Sequence, residues 1–152
     1  MLLIYYFPFV IQAGAIFFDE FYYHHKRGLG VWEKVGHPLD TLTVLFSYGF
    51  LIFVPFSQSH LIEFIVIASF STLFITKDEF VHAELCEAGE HWLHSLLFVV
   101  HPLCFVAAAL LWRESLGHYF LVSQAFVLGV FMLYQIIYWG MPWKKKFQKF
   151  QK

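Results

Sequence analysis

Nine histidines and eleven acidic residues are the side chains of this 152-residue sequence that are best suited to chemistry. Many of them fall in three short stretches that contain both types, namely 19–25, 77–87 and 87–94. Imidazole and carboxylate groups together are typical ligands of iron, manganese and zinc. The clustering of the two types therefore indicates a metal site.

The first stretch places Glu20 and His24 four residues apart at the end of an apolar run. Side chains with this spacing lie on the same face of a helix, so both could bind one ion. The alternative is a hydrated helix end in which Glu20 pairs with protonated His24 or with Arg27. This stretch alone leaves both interpretations open.

The second stretch contains an E-x-x-H motif made by Glu79 and His82. In an α-helix these two side chains are about 60° apart around the axis, close enough to bind one ion or two adjacent ions. E-x-x-H pairs on facing helices hold the metals of ferritin-like di-iron proteins. The alternative is an acidic, hydrated loop.

The third stretch runs into a long apolar segment and carries a stripe of polar side chains. Glu87, His91, His94 and His101 fall within about 80° of arc if the helix begins early enough. Three histidines and an acid in register on an otherwise apolar helix favour a ligand role. His101 precedes Pro102, which cannot donate a backbone hydrogen bond, so His101 has two alternatives: serving that kink or orienting a ligand.

A single site can gather these stretches, because the second and third are so close in sequence that their helices must be neighbours. The predicted metal ligands are Glu20, His24, Glu79, His82, Glu87, His91 and His94. Three further residues, His37, Asp40 and His101, are predicted to orient these ligands from outside. For His37 and Asp40 a structural turn and helix cap is the alternative.

The ligand types favour a transition metal, and three Glu with four His provide for two ions. Iron is the first choice and manganese or zinc the second, because structural zinc prefers cysteines and only Cys86 is near. A carboxylate-rich pair of iron ions predicts an oxidoreductase, of the hydroxylase or oxidase type, with a lipid-soluble substrate. Zinc would instead favour hydrolysis.

The motifs partly resemble those of two groups of membrane di-iron enzymes. Membrane desaturases and hydroxylases use repeated boxes such as H-x-x-H-H, whereas this chain has His91-x-x-His94 and the separate pair His24-His25. Quinol-oxidising alternative oxidases use two E-x-x-H motifs plus two glutamates, and here there is one E-x-x-H. These partial patterns assign the chain to neither family.

Two other classes of protein remain as alternatives. A non-enzymatic metal-binding membrane subunit, sensor or carrier would need similar ligands, although transport requires a polar path that the outer half of the chain largely lacks. A haem-binding electron carrier would need facing histidines within a bundle, of which His94 or His101 would be one. An absorption spectrum separates haem from non-haem iron.

Composition places the chain in a membrane. Hydrophobic residues make up 59% of the sequence and charged residues 14%, whereas soluble domains have about 25% charged residues. The formal net charge of −1 gives no reason to expect nucleic acid as a partner. The predicted partners are the lipid bilayer and either a lipid-soluble substrate or another membrane subunit.

Apolar runs predict an all-α integral membrane bundle of five transmembrane helices with short loops, at 2–20, 40–56, 61–80, 91–112 and 118–140. They form one transmembrane domain, 1–143, followed by a basic cytoplasmic tail, 144–152. Gly36 and Pro38 are expected to break the loop before the second helix. Asp40 or Thr41 would then cap that helix.

Nine of the ten Lys and Arg residues lie on one side of this arrangement, which the positive-inside rule assigns to the cytoplasm. The N-terminus would be outside and the C-terminus inside, in a bacterial inner membrane. Nine of the eleven acids fall on the same side, so the site is predicted at the cytoplasmic face. Ala13-Gly14-Ala15 is similar to a signal-peptide cleavage site, but no basic region precedes it and the first helix is expected to be retained.

Overall fold

The computed structural model describes residues 2–140, and all secondary structure within that range is helical. A short 3₁₀ turn, Leu2–Tyr6, leads into five helical rods. Helix α1 comprises Phe7–Phe18, a π-helical segment Asp19–His24 and a last turn His25–Arg27; α2 is Val31–Phe53; α3 comprises Gln58–Phe74, a 3₁₀ turn Ile75–Asp78 and Glu79–Leu85; α4 is Ala88–Arg113; α5 is His118–Gly140. The all-helical class predicted from the sequence is confirmed for this range, and the predicted basic tail, 144–152, lies outside it.

Three of these helices are long and apolar enough to cross a membrane: Gln58–Leu85, Ala88–Arg113 and His118–Gly140. The outer surface agrees, because large apolar side chains such as Phe46, Phe70 and Phe126 are exposed while charged groups are buried within the bundle. Lipid is the solvent that favours this distribution. Membrane spans are thereby supported, and the five-span arrangement stays a prediction.

Helix α2 begins much earlier than the sequence indicated. Gly36 and Pro38 lie inside the helix rather than in a preceding loop, so the predicted break and the cap at Asp40 or Thr41 are wrong. Pro38 removes one backbone hydrogen bond, but the turns on either side are held by contacts with other helices. Gly36 serves close packing: a Cβ there would lie 3.0 Å from Asp78 Oδ1 of α3.

Consecutive helices run antiparallel, which divides the bundle into two ends. At one end the start of α1 meets the start of α5, where Tyr6 and Phe120 pack edge to face with ring centroids 4.7 Å apart. This end holds an apolar core that includes Tyr48, Phe105 and Leu111. At the other end lie the buried acids and histidines, so polar chemistry and apolar packing are segregated along the bundle axis.

Candidate metal centre

Four histidines meet at the polar end of the bundle, one from each of the first four helices. They are His24 of α1, His37 of α2, His82 of α3 and His94 of α4, and together they are called the histidine ring. Going round the ring, the centroids of neighbouring imidazoles are 4.8, 6.2, 4.1 and 6.5 Å apart. Four helices are thus tied to a single point by one residue type.

Acidic side chains and one thiol lie along the edges of the histidine ring. Each edge forms a group whose potential ligand atoms all lie within 4.8 Å of one another. The groups are Asp19, His24, Glu90 and His94; Glu20, His24 and His37; Glu33, His37 and His82; and His82, Cys86 and His94. The first and third of these groups have no residue in common, so the ring has room for two separate ions.

The π-helical segment of α1 explains why two acids reach the same histidine. Its backbone hydrogen bonds run from i to i+5, which brings Asp19 as well as Glu20 towards His24. Asp19 Oδ2 lies 3.2 Å and Glu20 Oε2 3.4 Å from the two nitrogens of that ring. Asp19 Oδ1 also lies 3.0 Å from Nε2 of His94 on α4. A regular α-helix would favour only the Glu20 contact.

Several imidazole nitrogens in the ring are buried without a hydrogen-bond partner among residues 2–140. These atoms are Nε2 of His24, both nitrogens of His82 and Nδ1 of His94. The three residues are only 1–5% exposed, so water does not reach these atoms freely. A buried polar atom without a partner is costly and calls for an explanation such as a bound ion.

A single arginine links two acids of the ring. Arg27 donates to both oxygens of Glu33, at 3.0 and 2.6 Å, and to Glu90 at 2.8 Å. Burial on its own would raise the pKa of Glu33, but hydrogen bonds from His82, Arg27 and the Gly30 N–H hold that pKa well below its usual range. Glu33 therefore stays ionised and available to a cation.

The net charge of the site favours a cation. Four carboxylates (Asp19, Glu20, Glu33 and Glu90) surround the ring, and Arg27 contacts two of them. Burial raises the pKa of the Cys86 thiol to about 12, so at neutral pH it adds no charge. The excess of buried negative charge would be unfavourable without positive ions to balance it.

The structure brings four of the predicted ligands into the ring or onto its edge: Glu20, His24, His82 and His94. The other three lie outside it. Glu79 and His91 lie 3.7 Å from each other, with side chains 45% and 30% exposed, and Glu87 pairs with Lys26 at 2.7 Å near the surface.

The three residues predicted to orient ligands have different positions. His37 is itself a member of the ring. Asp40 accepts a hydrogen bond from Lys77 at 2.6 Å. His101 lies two turns deeper on α4, with Nδ1 2.9 Å from Gln12 and Nε2 3.3 Å from Ser71. Only His37 is therefore placed to touch an ion.

Four members of the site were not predicted from the sequence: Asp19, Glu33, Cys86 and Glu90. One signal was available, because every histidine of the ring has an acid four residues before it. The pairs are Glu20 with His24, Glu33 with His37, Asp78 with His82, and Glu90 with His94. The same spacing also precedes His91 and His118, which lie outside the ring, so spacing indicates the set without selecting its members.

A cavity of about 370 Å³ adjoins the ring. Asp19, His37, His82 and His94 line one end of it. The rest of its wall is mostly apolar and extends along the bundle as far as Phe9 and Tyr48. A candidate metal site and a candidate substrate space thus share a wall.

No protein-family model, no curated protein and no solved structure matches this chain. The class that the structure defines is an all-helical protein with three candidate membrane spans and a buried group of histidines and acids that could hold metal. Any more specific function has to be inferred from the chemistry of that group and of the adjoining cavity.

Proposed function

We propose that this protein is a membrane-embedded oxidoreductase that binds two transition-metal ions, preferably iron, at the histidine ring and acts on a lipid-soluble substrate. The observation that carries the proposal is the set of buried imidazole nitrogens without hydrogen-bond partners among the described residues. They come from His24, His82 and His94, on three different helices. Packing alone does not explain why three helices should each bury such an atom at one point.

The ring divides naturally into two ligand sets. One ion would be held by Asp19, His24, Glu90 and His94, and the other by Glu33, His37 and His82. Mixed imidazole and carboxylate ligands suit iron, with manganese and zinc as weaker choices. The second set has only three members, which leaves room for a substrate or water, and two of them line the cavity.

Iron supports redox chemistry because each ion can change its oxidation state by one electron. Two adjacent ions can therefore exchange two electrons with a substrate, whereas zinc has no redox chemistry. The adjoining apolar cavity favours an enzyme over a metal carrier, since a carrier has no need of space for a substrate. The acids between the imidazoles occupy the space that a haem macrocycle would need.

The proposal includes the placement of the bundle in the membrane. All five helices would cross the bilayer, with the polar end at the cytoplasmic face of a bacterial inner membrane. Support comes from the basic residues Lys26, Arg27, Lys34 and Lys77, which lie at the polar end of the bundle, as the positive-inside rule requires.

Elemental analysis tests the metal proposal. Protein purified in detergent without a histidine tag, from cells grown with iron, manganese and zinc, is expected to contain about two ions per chain, mostly iron. Electron paramagnetic resonance after stepwise reduction should then show a signal from coupled iron ions, without the absorption band of a haem. Metal-free protein from every growth condition would overturn the proposal.

A further inference from the structure

We infer that the cavity binds a single-chain amphiphile that enters sideways from the bilayer between α1 and α5, with its oxygen-bearing end at the histidine ring. This inference deepens the proposed function by naming the substrate class and the entry route, and it rests on that function. It starts from which lining residues are exposed.

The mouth of the cavity lies between α1 and α5. Four residues that line the cavity are also exposed: Ala13, Phe17 and Phe21 of α1 and Val127 of α5. The lining residues on α2, α3 and α4 are buried or half-buried. The cavity is therefore reached from the side of the bundle, where lipid would lie.

Aromatic contacts mark both ends of this opening. Phe9 and Phe120 pack edge to face with centroids 4.9 Å apart towards the apolar end. Phe21 and Tyr134 pack with centroids 5.5 Å apart towards the polar end. Between these two contacts α1 and α5 present only uncharged side chains to the cavity, among them Val127, so an apolar chain meets no charge on entering.

The shape of the cavity fits an extended chain. On α2 its lining residues run from His37 to Tyr48, a distance of about 16 Å at the helical rise per residue. A cavity of about 370 Å³ spread over that length is narrow, and it falls at the small end of the range for ligand sites. A compact ring system would leave much of it unfilled.

The polarity of the cavity sets the direction of the chain. In its deeper part the polar groups bond to each other: Gln12 to His101 at 2.9 Å and Thr41 to Gln135 at 3.1 Å. These groups need nothing from a ligand. The partnerless nitrogens lie only at the ring, so an oxygen-bearing group is stabilised there and the hydrocarbon extends towards Tyr48.

Photo-crosslinking in liposomes tests the inference. The probe is a palmitic acid analogue with a diazirine at the end of its chain, and the labelled residues are mapped by mass spectrometry. Labelling is expected near the deep end, at Phe9 and Tyr48, and unlabelled hexadecanol should compete whereas decylubiquinone should not. Labelling confined to outward residues such as Phe126, or competition by the quinone alone, would overturn the inference.

Matched variants test the entry route. Val127→Trp fills the mouth, whereas Val130→Trp lies one turn on, equally exposed at 53% against 58%, and does not line the cavity. Labelling at Tyr48 should fall at least about fivefold in Val127→Trp and stay at the wild-type level in Val130→Trp. Equal labelling in both would contradict entry at this point.

Two further measurements separate the possible failures. Ala13→Phe narrows the same mouth from α1, so it replaces Val127→Trp if that variant does not fold by circular dichroism. Metal content is measured in every variant. Normal metal with no deep labelling refutes the amphiphile alone, whereas deep labelling in a metal-free protein refutes the proposed oxidoreductase and leaves the binding cavity.

Discussion

At the scale of single residues, the histidine ring consists of side chains whose surroundings differ sharply from those of the other histidines. His94 is 5% exposed and meets Asp19, whereas His118 is exposed at the opposite end of the bundle. Both are imidazoles on apolar helices, so sequence composition does not separate them. Their environments do, and this contrast gives a direct test of ligand function.

Replacing His94 by Ala should remove about one of the two ions, because the set that contains Asp19, His24 and Glu90 loses a ligand. The remaining buried charges lose their compensation, so stability in detergent should fall as well. Elemental analysis and thermal unfolding measure the two effects.

His118→Ala is the matched control, because it removes the same imidazole away from the ring. It should keep wild-type metal content and stability. Glu79→Gln is a second control, since Glu79 lies on the surface beside His91. If His94→Ala keeps both ions, or if His118→Ala loses as much metal, the ring is a packing feature.

The residues missed from the sequence were missed for physical reasons. Glu90 lies only about 40° from His94 around a helix, closer than the 60° between His91 and His94, but a stripe centred on His91 placed Glu90 outside it. Asp19 reaches His24 through the π-helical segment, and α-helical periodicity does not predict that register.

At the scale of elements, the boundaries of α2 decided how much of the site could be predicted. The sequence indicated its apolar part, but treating Pro38 as a loop residue separated Glu33 and His37 from the helix. With the true start at Val31, these two residues share a helix face. Proline is disfavoured inside helices, and packing against α3 and α5 overrides that preference here.

Glycines within α2 test this packing. In Gly36→Ala the new Cβ would lie 3.0 Å from Asp78 Oδ1, and that carboxylate is held by Trp32 and Lys77 at 2.8 and 2.9 Å. The free energy of unfolding should therefore fall by about 1–3 kcal/mol, as overpacking generally costs. Chemical denaturation in detergent micelles provides the measurement.

Gly49→Ala is the control in the same helix, because a Cβ there meets nothing within 4 Å. It should be neutral or stabilising by up to about 1 kcal/mol, since Ala is the better helix former. A Gly36→Ala variant as stable as Gly49→Ala would mean that α2 and α3 are not in close contact at this point.

At the scale of the whole molecule, the arrangement is that of a bundle with a buried polar end and an apolar outer surface. The hydrophobic runs in the sequence predicted five helices, and the structure has five in residues 2–140. Which of them span the bilayer is less directly given, because α1 and α2 carry the charged residues of the site. The same residues that make the centre thus weaken the hydropathy signal of the helices that hold it.

Orientation in the membrane can be tested by cysteine labelling with a membrane-impermeant maleimide. Single cysteines at Lys34, Ser59, Ser115 and Gln148, in a background with Cys86→Ser and Cys104→Ala, should report inside, outside, outside and inside. Ser59 and Ser115 lie in the connections at the apolar end of the bundle, whereas Lys34 lies near the ring. Intact cells should therefore label the first two only, and permeabilised cells all four.

The outcome also decides how the centre is supplied. With Lys34 inside, the histidine ring faces the cytoplasm, where metal ions and electron donors are available, while the substrate cavity opens to lipid. Labelling of Ser59 from the cytoplasm would reverse this and place the ring at the outer face, contrary to the positive-inside rule. The ring geometry would be unchanged by that result, but its source of metal and electrons would have to be extracellular.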